Sequence, residues 1–169
     1  MKLNLLRWTC FAAALALALP LGCAGQSKDD KDKGEKDTEQ TVQMADLPAA
    51  VKKSVLEASK GAKLRGLSRE VKEGQTFYEA ELFADGRVRD VTFDAAGKLI
   101  TIEQEVALDS LPAAAKAAIL KGAGDGKITL VESITRDGKI EAYEAHVQKG
   151  AEEIEIKVAP DGKPIVEGR

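Results

Sequence analysis

Leu47-Pro48-Ala49-Ala50-Val51-Lys52 returns 64 residues later as Leu111-Pro112-Ala113-Ala114-Ala115-Lys116, and Tyr78-Glu79-Ala80-Glu81-Leu82 returns 65 residues later as Tyr143-Glu144-Ala145-His146-Val147. Between and beyond these, Gly61-Ala62-Lys63-Leu64 is echoed by Asp125-Gly126-Lys127-Ile128. Phe93-Asp94-Ala95-Ala96-Gly97-Lys98-Leu99-Ile100 is echoed by Val158-Ala159-Pro160-Asp161-Gly162-Lys163-Pro164-Ile165. Ordered matches with a single one-residue step in register mark an internal duplication, residues 42–105 and 106–169.

Each copy opens with a helical pattern. Asp46 and Ser110 stand before Leu-Pro, where a capping side chain and a proline in the first turn suit the free amides of a helix start. Val51, Val55 and Leu56, and in the second copy Ala115, Ile119 and Leu120, fall at helical spacing and predict one apolar stripe per helix. Gly61 and Gly122 are the expected stops. The period then changes to two. Tyr78, Ala80 and Leu82 alternate with Glu79 and Glu81, and Ile154, Ile156 and Val158 alternate with Glu153, Glu155 and Lys157, as in antiparallel strands with one buried face. Glu73-Gly74, Asp85-Gly86, Ala96-Gly97, Asp137-Gly138, Gly150 and Asp161-Gly162 mark turns. The expected fold is α+β: two tandem repeats, each one helix packed on a four-stranded antiparallel sheet. Copies this small are marginal alone, so they are expected to pack together.

Ahead of the duplication, Lys2 and Arg7 flank a basic start, Trp8 through Leu19 is apolar, and Pro20-Leu21-Gly22-Cys23-Ala24-Gly25 closes the run. Residues 1–22 read as a secretory signal, its apolar stretch falling short of the roughly 20 residues that a spanning helix needs. Leu19-Pro20-Leu21-Gly22-Cys23 resembles a bacterial lipobox, departing from it at Pro20, where Leu is usual. The resemblance implies that Cys23 is lipidated and becomes the new N-terminus, anchoring the chain in the membrane. With Ala24 and not Asp following, it implies the outer membrane, facing the periplasm, in a host with two membranes. Gln26 through Gln40 holds four Lys and six acidic residues and no aliphatic or aromatic side chain. Such a segment cannot bury enough apolar area to offset the entropy of ordering it, so residues 23–41 read as a lipidated Cys and a disordered charged tether.

Cys10 leaves with the signal and Cys23 carries the lipid, so the folded part has no thiol for a disulfide or a cysteine metal site. Losing Lys2 and Arg7 takes the formal charge from −3 to −5, and a mildly acidic chain argues against a nucleic-acid partner. Of the 4% aromatic content, Phe77, Tyr78, Phe83 and Phe93 lie in the first copy and only Tyr143 in the second, which makes the first the better-cored copy.

The order of Leu-Pro-Ala-Ala helix, Lys-Leu or Lys-Ile strand, Tyr-Glu-Ala strand and Phe-Asp-Ala-Ala-Gly-Lys-Leu-Ile hairpin resembles the PepSY-like, beta-lactamase-inhibitor-like family of exported bacterial proteins over nearly all of the folded part. Tyr78, Phe93, Asp94 and Gly97 carry the match in the first copy. Tyr143 and Gly162 carry it in the second, where Val158 and Ala159 replace Phe93 and Asp94 and Pro164 enters the last strand. The resemblance implies a binding or inhibitory module of the cell envelope.

His146 is the only histidine and by alternation shares a face with Glu144 and Gln148. One imidazole without positioned partners makes neither a zinc site nor a catalytic triad, so it reads as a surface side chain. Gly122 through Lys127 fails the spacing of a phosphate loop, and the Asp-Gly turns lack the run of alternating carboxylates of a calcium loop. No catalytic residue, metal ligand or cofactor is therefore expected. What remains is the face opposite the helices, with Phe77, Glu79, Glu81 and Phe83 in the first copy and Ala142, Glu144, His146 and Gln148 in the second, beside Glu153, Glu155 and Lys157. Phe77 and Phe83 either anchor a partner there or pack against the other copy. The expected function is that of a non-enzymatic, lipid-anchored envelope protein that binds another exported protein through its sheet surface, inhibiting or escorting it. A small-ligand or cation sensor using the acidic face is the alternative.

Overall fold

The computed structural model describes residues 38–166; the signal, Cys23 and most of the charged tether lie outside the described residues. In chain order the elements are β1 (Thr38–Thr41), α1 (Ala49–Ala58), β2 (Lys63–Lys72), β3 (Gln75–Ala84), β4 (Arg87–Asp94), β5 (Leu99–Glu105), α2 (Ala113–Ala123), β6 (Lys127–Arg136), β7 (Lys139–Lys149) and β8 (Glu152–Val158). All eight strands form one antiparallel sheet in the order of the sequence.

This corrects the expected pair of repeats, each with its own four-stranded sheet. The strands run on without a break because β5 pairs with β6, placing Ile102 opposite Thr135 and Glu105 opposite Glu132. As the edge of a separate sheet, β5 would leave a row of unpaired N–H and C=O groups, which β6 satisfies. The second half also supplies three strands, not four. After β8 the described residues form an isolated bridge between Val158 and Pro164 rather than a further strand, at a residue that has no N–H to donate to a ladder. At the other edge Thr38–Thr41, assigned above to the tether, lies opposite Ser68–Val71 of β2 as a four-residue strand.

Three tight hairpins follow the X-Gly signals. Glu73-Gly74 (φ 51° and 73°), Asp85-Gly86 (52° and 79°) and Asp137-Gly138 (47° and 74°) have positive φ at both turn residues, the geometry whose twist matches the flanking strands. The helix ends differ from expectation. Pro48 and Pro112 occupy the N-caps, while Asp46 and Ser110 close short 3-10 turns, Met44–Asp46 and Leu108–Ser110. Gly122 does not stop α2 but lies within it, where a Cβ would come 2.9 Å from Ile156 Cδ1; the helix runs on to its C-cap at Gly124.

Both helices cover the same face of the sheet, each over its own apolar cluster. Val51 and Val55 of α1 pack with Leu67, Tyr78, Ala80, Leu82, Val91 and Phe93. Ala115, Ile119 and Ala123 of α2 pack with Val131, Tyr143, Ala145, Val147 and Val158. Leu56 and Leu120, expected in the apolar stripes, are instead 55% and 46% exposed, each lying one residue past the buried Val55 and Ile119. Gly97 and Gly162 hold the turns beneath the helices: a Cβ on either would come 2.7 Å from the Ala50 or Ala114 carbonyl oxygen, and φ there is +78° and +84°. The Ser54 hydroxyl of α1 donates to the Gly97 carbonyl at 2.7 Å, fastening helix to turn.

Candidate functional site: the helix-free face

Directly paired residues of antiparallel strands point to the same side, so the register defines the face away from the helices. Starting from Glu79 and Glu81 of β3, it collects Glu39 of β1, Glu70 of β2, Asp90 of β4, Glu103 and Glu105 of β5, Glu132 of β6, Glu144 and His146 of β7, and Glu153, Glu155 and Lys157 of β8. Carboxylates stand directly opposite carboxylates in Glu39–Glu70, Glu81–Asp90, Asp90–Glu103, Glu105–Glu132 and Glu132–Glu144. Like charges so placed oppose folding by some ~0.2–1 kcal/mol per pair.

Two of these groups respond by holding their protons. Burial, and then the charge of Asp90, Glu103, Glu39 and Glu70, pushes the Glu79 carboxyl up to about 8. Burial, and then Glu144 and Glu132, pushes Glu103 up to about 7, with Lys157 and His146 acting against the rise. Cations are fewer on this face. Arg65 at the bulge in β2 lies 3.7 Å from the Glu81 carboxylate and stacks its guanidinium 4.1 Å from the centre of the Phe83 ring. Lys157 Nζ lies 2.8 Å from Glu144 Oε2.

His146 is not the ordinary surface side chain expected of a lone histidine. Its side chain is only 13% exposed and sits among carboxylates from three strands. Nε2 lies 3.4 Å from Glu132 Oε2 and 3.7 Å from Glu144 Oε1, while Nδ1 lies 3.1 Å from Glu153 Oε1. The hydrogen bond to Glu132, and next that to Glu153, hold the imidazole proton up to about 9 against the opposing effect of burial. Glu132 and Glu144 are themselves buried, at 3% and 8% exposure. One ligand atom from each of Glu144, His146 and Glu155 falls within 4.8 Å of the others.

The register therefore brings all six residues singled out above, Phe77, Glu79, Glu81, Phe83, Glu144 and His146, to one face. Phe77 and Phe83 are half-buried, and neither belongs to the apolar clusters under the helices. Glu39, Glu70, Asp90, Glu103, Glu105 and Glu132 complete the acidic row, and the sequence alone does not single them out. The alternation of Glu103 and Glu105 with Ile102 and Gln104 carried the signal for β5, but pairing between strands alone sets these groups beside Glu144 and His146.

No family model matches the chain, and no curated protein matches it. Solved structures do. A protein assigned to the periplasm of Bacteroides eggerthii superposes with a TM-score of 0.58 at 18% identity, over 71% of this chain and 86% of that one. A DUF2874 family protein of Bacteroides uniformis gives 0.56 at 18% identity, over 71% and 87%. A BLIP-like protein of Bacteroides fragilis gives 0.52 at 20% identity, over 72% and 85%. At these identities the likeness is one of fold.

Proposed function

We propose that this chain is a non-enzymatic binding protein of the bacterial cell envelope, engaging another exported protein with a basic surface through the helix-free face of its sheet. The observation that carries the reading is the row of directly opposed carboxylates. A face that served only as exterior would gain stability by alternating the signs of charge across strands, and this one keeps like charges together at a cost to folding. Such a field steers a cationic partner and rejects acidic ones. Phe83 under the Arg65 guanidinium, and Phe77 on the same strand, supply ring surface beside the charges.

Carboxylates of Glu132, Glu144 and Glu153 surround the His146 ring, an arrangement suited to binding a cationic group rather than to activating a nucleophile. Placement in the periplasm is supported by the secretory signal and by the periplasmic assignment of a neighbour in fold. The lipobox resemblance at Cys23 supports a lipid anchor, and the BLIP-like description of another neighbour supports an inhibitory or escorting role. Cross-linking capture at the membrane with the wild-type chain, Phe77→Ser and Phe83→Ser tests the reading. Loss of a captured protein at unchanged melting temperature supports it; capture unaffected by both substitutions refutes it.

A further inference from the structure

We propose that Glu144, His146 and Glu155 bind a zinc-class divalent cation on the helix-free face of β7 and β8, with Glu132 of β6 beside them as a further carboxylate ligand. The arrangement differs from an exposed acidic patch in three ways. First, the donor set includes an imidazole nitrogen, which suits zinc and its transition-metal neighbours, whereas calcium and magnesium take oxygen donors.

Second, the ring is oriented as metal-bound histidines are. Glu153 Oε1 lies 3.1 Å from Nδ1, so that nitrogen is the donor to a supporting carboxylate, while Nε2 is turned toward Glu132 and Glu144 and takes the metal in exchange for the proton it shares with Glu132, which is released to solvent. Lys157 performs the matching service for Glu144: it holds Oε2 at 2.8 Å and leaves Oε1 facing the ring. Third, the separations are near those of a filled site. Ligands roughly 2.0–2.2 Å from a tetrahedral zinc stand about 3.4 Å apart. The Nε2 distances of 3.4 Å to Glu132 and 3.7 Å to Glu144 already meet this spacing, and the 4.8 Å limit that includes Glu155 leaves a short side-chain movement at an exposed residue.

The charge balance points the same way. Glu103 from β5, Glu132 from β6, Glu144 from β7, and Glu153 and Glu155 from β8 gather on this part of the face, with His146 and Lys157 set among them as cations. A divalent ion on Nε2 offsets the excess without moving a strand.

Because His146 is the only histidine, long-range 1H–15N spectra of the 15N-labelled full chain in detergent, at slightly alkaline pH, read this site alone. Zinc at one equivalent is expected to move the Nε2 resonance to its metal-bound position while Nδ1 keeps its proton. Glu155→Gln, at an exposed position, is expected to weaken zinc affinity by on the order of tenfold in calorimetry with an unchanged melting temperature. Ring resonances indifferent to zinc overturn the proposal, as does a shift that magnesium reproduces or wild-type zinc affinity in Glu155→Gln.

Discussion

Glu79→Gln tests the physical basis of the acidic row. In the folded chain the Glu79 carboxyl keeps its proton to about pH 8, against 4.5 for an ordinary glutamate, chiefly because of burial and secondarily because of Asp90. The native state therefore holds a proton that the unfolded chain has released, and stability falls as pH rises from near 4.5 through about 8. At ~1.4 kcal/mol per unit, the full displacement sets a ceiling of roughly 5 kcal/mol on what ionising Glu79 costs the fold. About half of that is a reasonable expectation for a group that water still reaches in part. Glu103, raised to about 7, and His146, raised to about 9, act with the same sign. For His146 the stabilisation is complete below 6.5 and is lost as pH rises through about 9. Urea unfolding followed by circular dichroism from mildly acidic to mildly alkaline pH is the assay. The wild-type chain loses stability across this range, at up to ~1.4 kcal/mol per pH unit from Glu79 alone. Glu79→Gln flattens the slope by about one proton and is the more stable protein at the alkaline end. A wild-type slope that is flat or rising, or a Glu79→Gln slope equal to wild type, would refute the reasoning.

Other outcomes follow from the fold and from the lipobox resemblance at Cys23. Gly97→Ala places a Cβ 2.7 Å from the Ala50 carbonyl oxygen at a φ of +78° and is expected to cost on the order of 2 kcal/mol or more, whereas Gly86→Ala, with the same sign of φ and open space, costs about 1 kcal/mol; paired melts separate the two. Leu82→Ala, on β3 and fully buried in the apolar cluster under α1, loses about 2–5 kcal/mol in denaturant unfolding, and Leu56→Ala, 55% exposed, loses under about 1 kcal/mol. Mass spectrometry of the mature chain is expected to find a diacylated Cys23 at the N-terminus; an unmodified N-terminus beyond Cys23 ends the lipoprotein reading.

Local signals in this chain are legible and non-local ones are not. Asp85-Gly86 between alternating segments specifies its hairpin because both positive φ values and the two-residue loop are properties of that dipeptide. The alternation of Tyr78, Ala80 and Leu82 against Glu79 and Glu81 likewise sorts one strand into two faces. The union of β5 with β6 is different in kind. Nothing within Leu99–Glu105 distinguishes an interior strand from an edge, so the duplication in sequence suggested two sheets where hydrogen bonding across its midpoint makes one. Helix limits also depended on partners: Gly122 is tolerated inside α2 because Ile156 leaves no space for a side chain. His146 shows both halves of the lesson. Alternation put it on the correct face with Glu144, while Glu132 and Glu153, which remove it from solvent and fix its ring, arrive from neighbouring strands through register.

The central claim is that the helix-free face, and not the helix side, is the working surface of this protein. A photoreactive residue placed at Phe83 on that face or at Leu56 on α1, each in the full chain in living cells, compares the two surfaces directly. A discrete cross-linked protein from Phe83 and none from Leu56 is the predicted result. Cross-linking from Leu56 alone, or from neither position, contradicts the account.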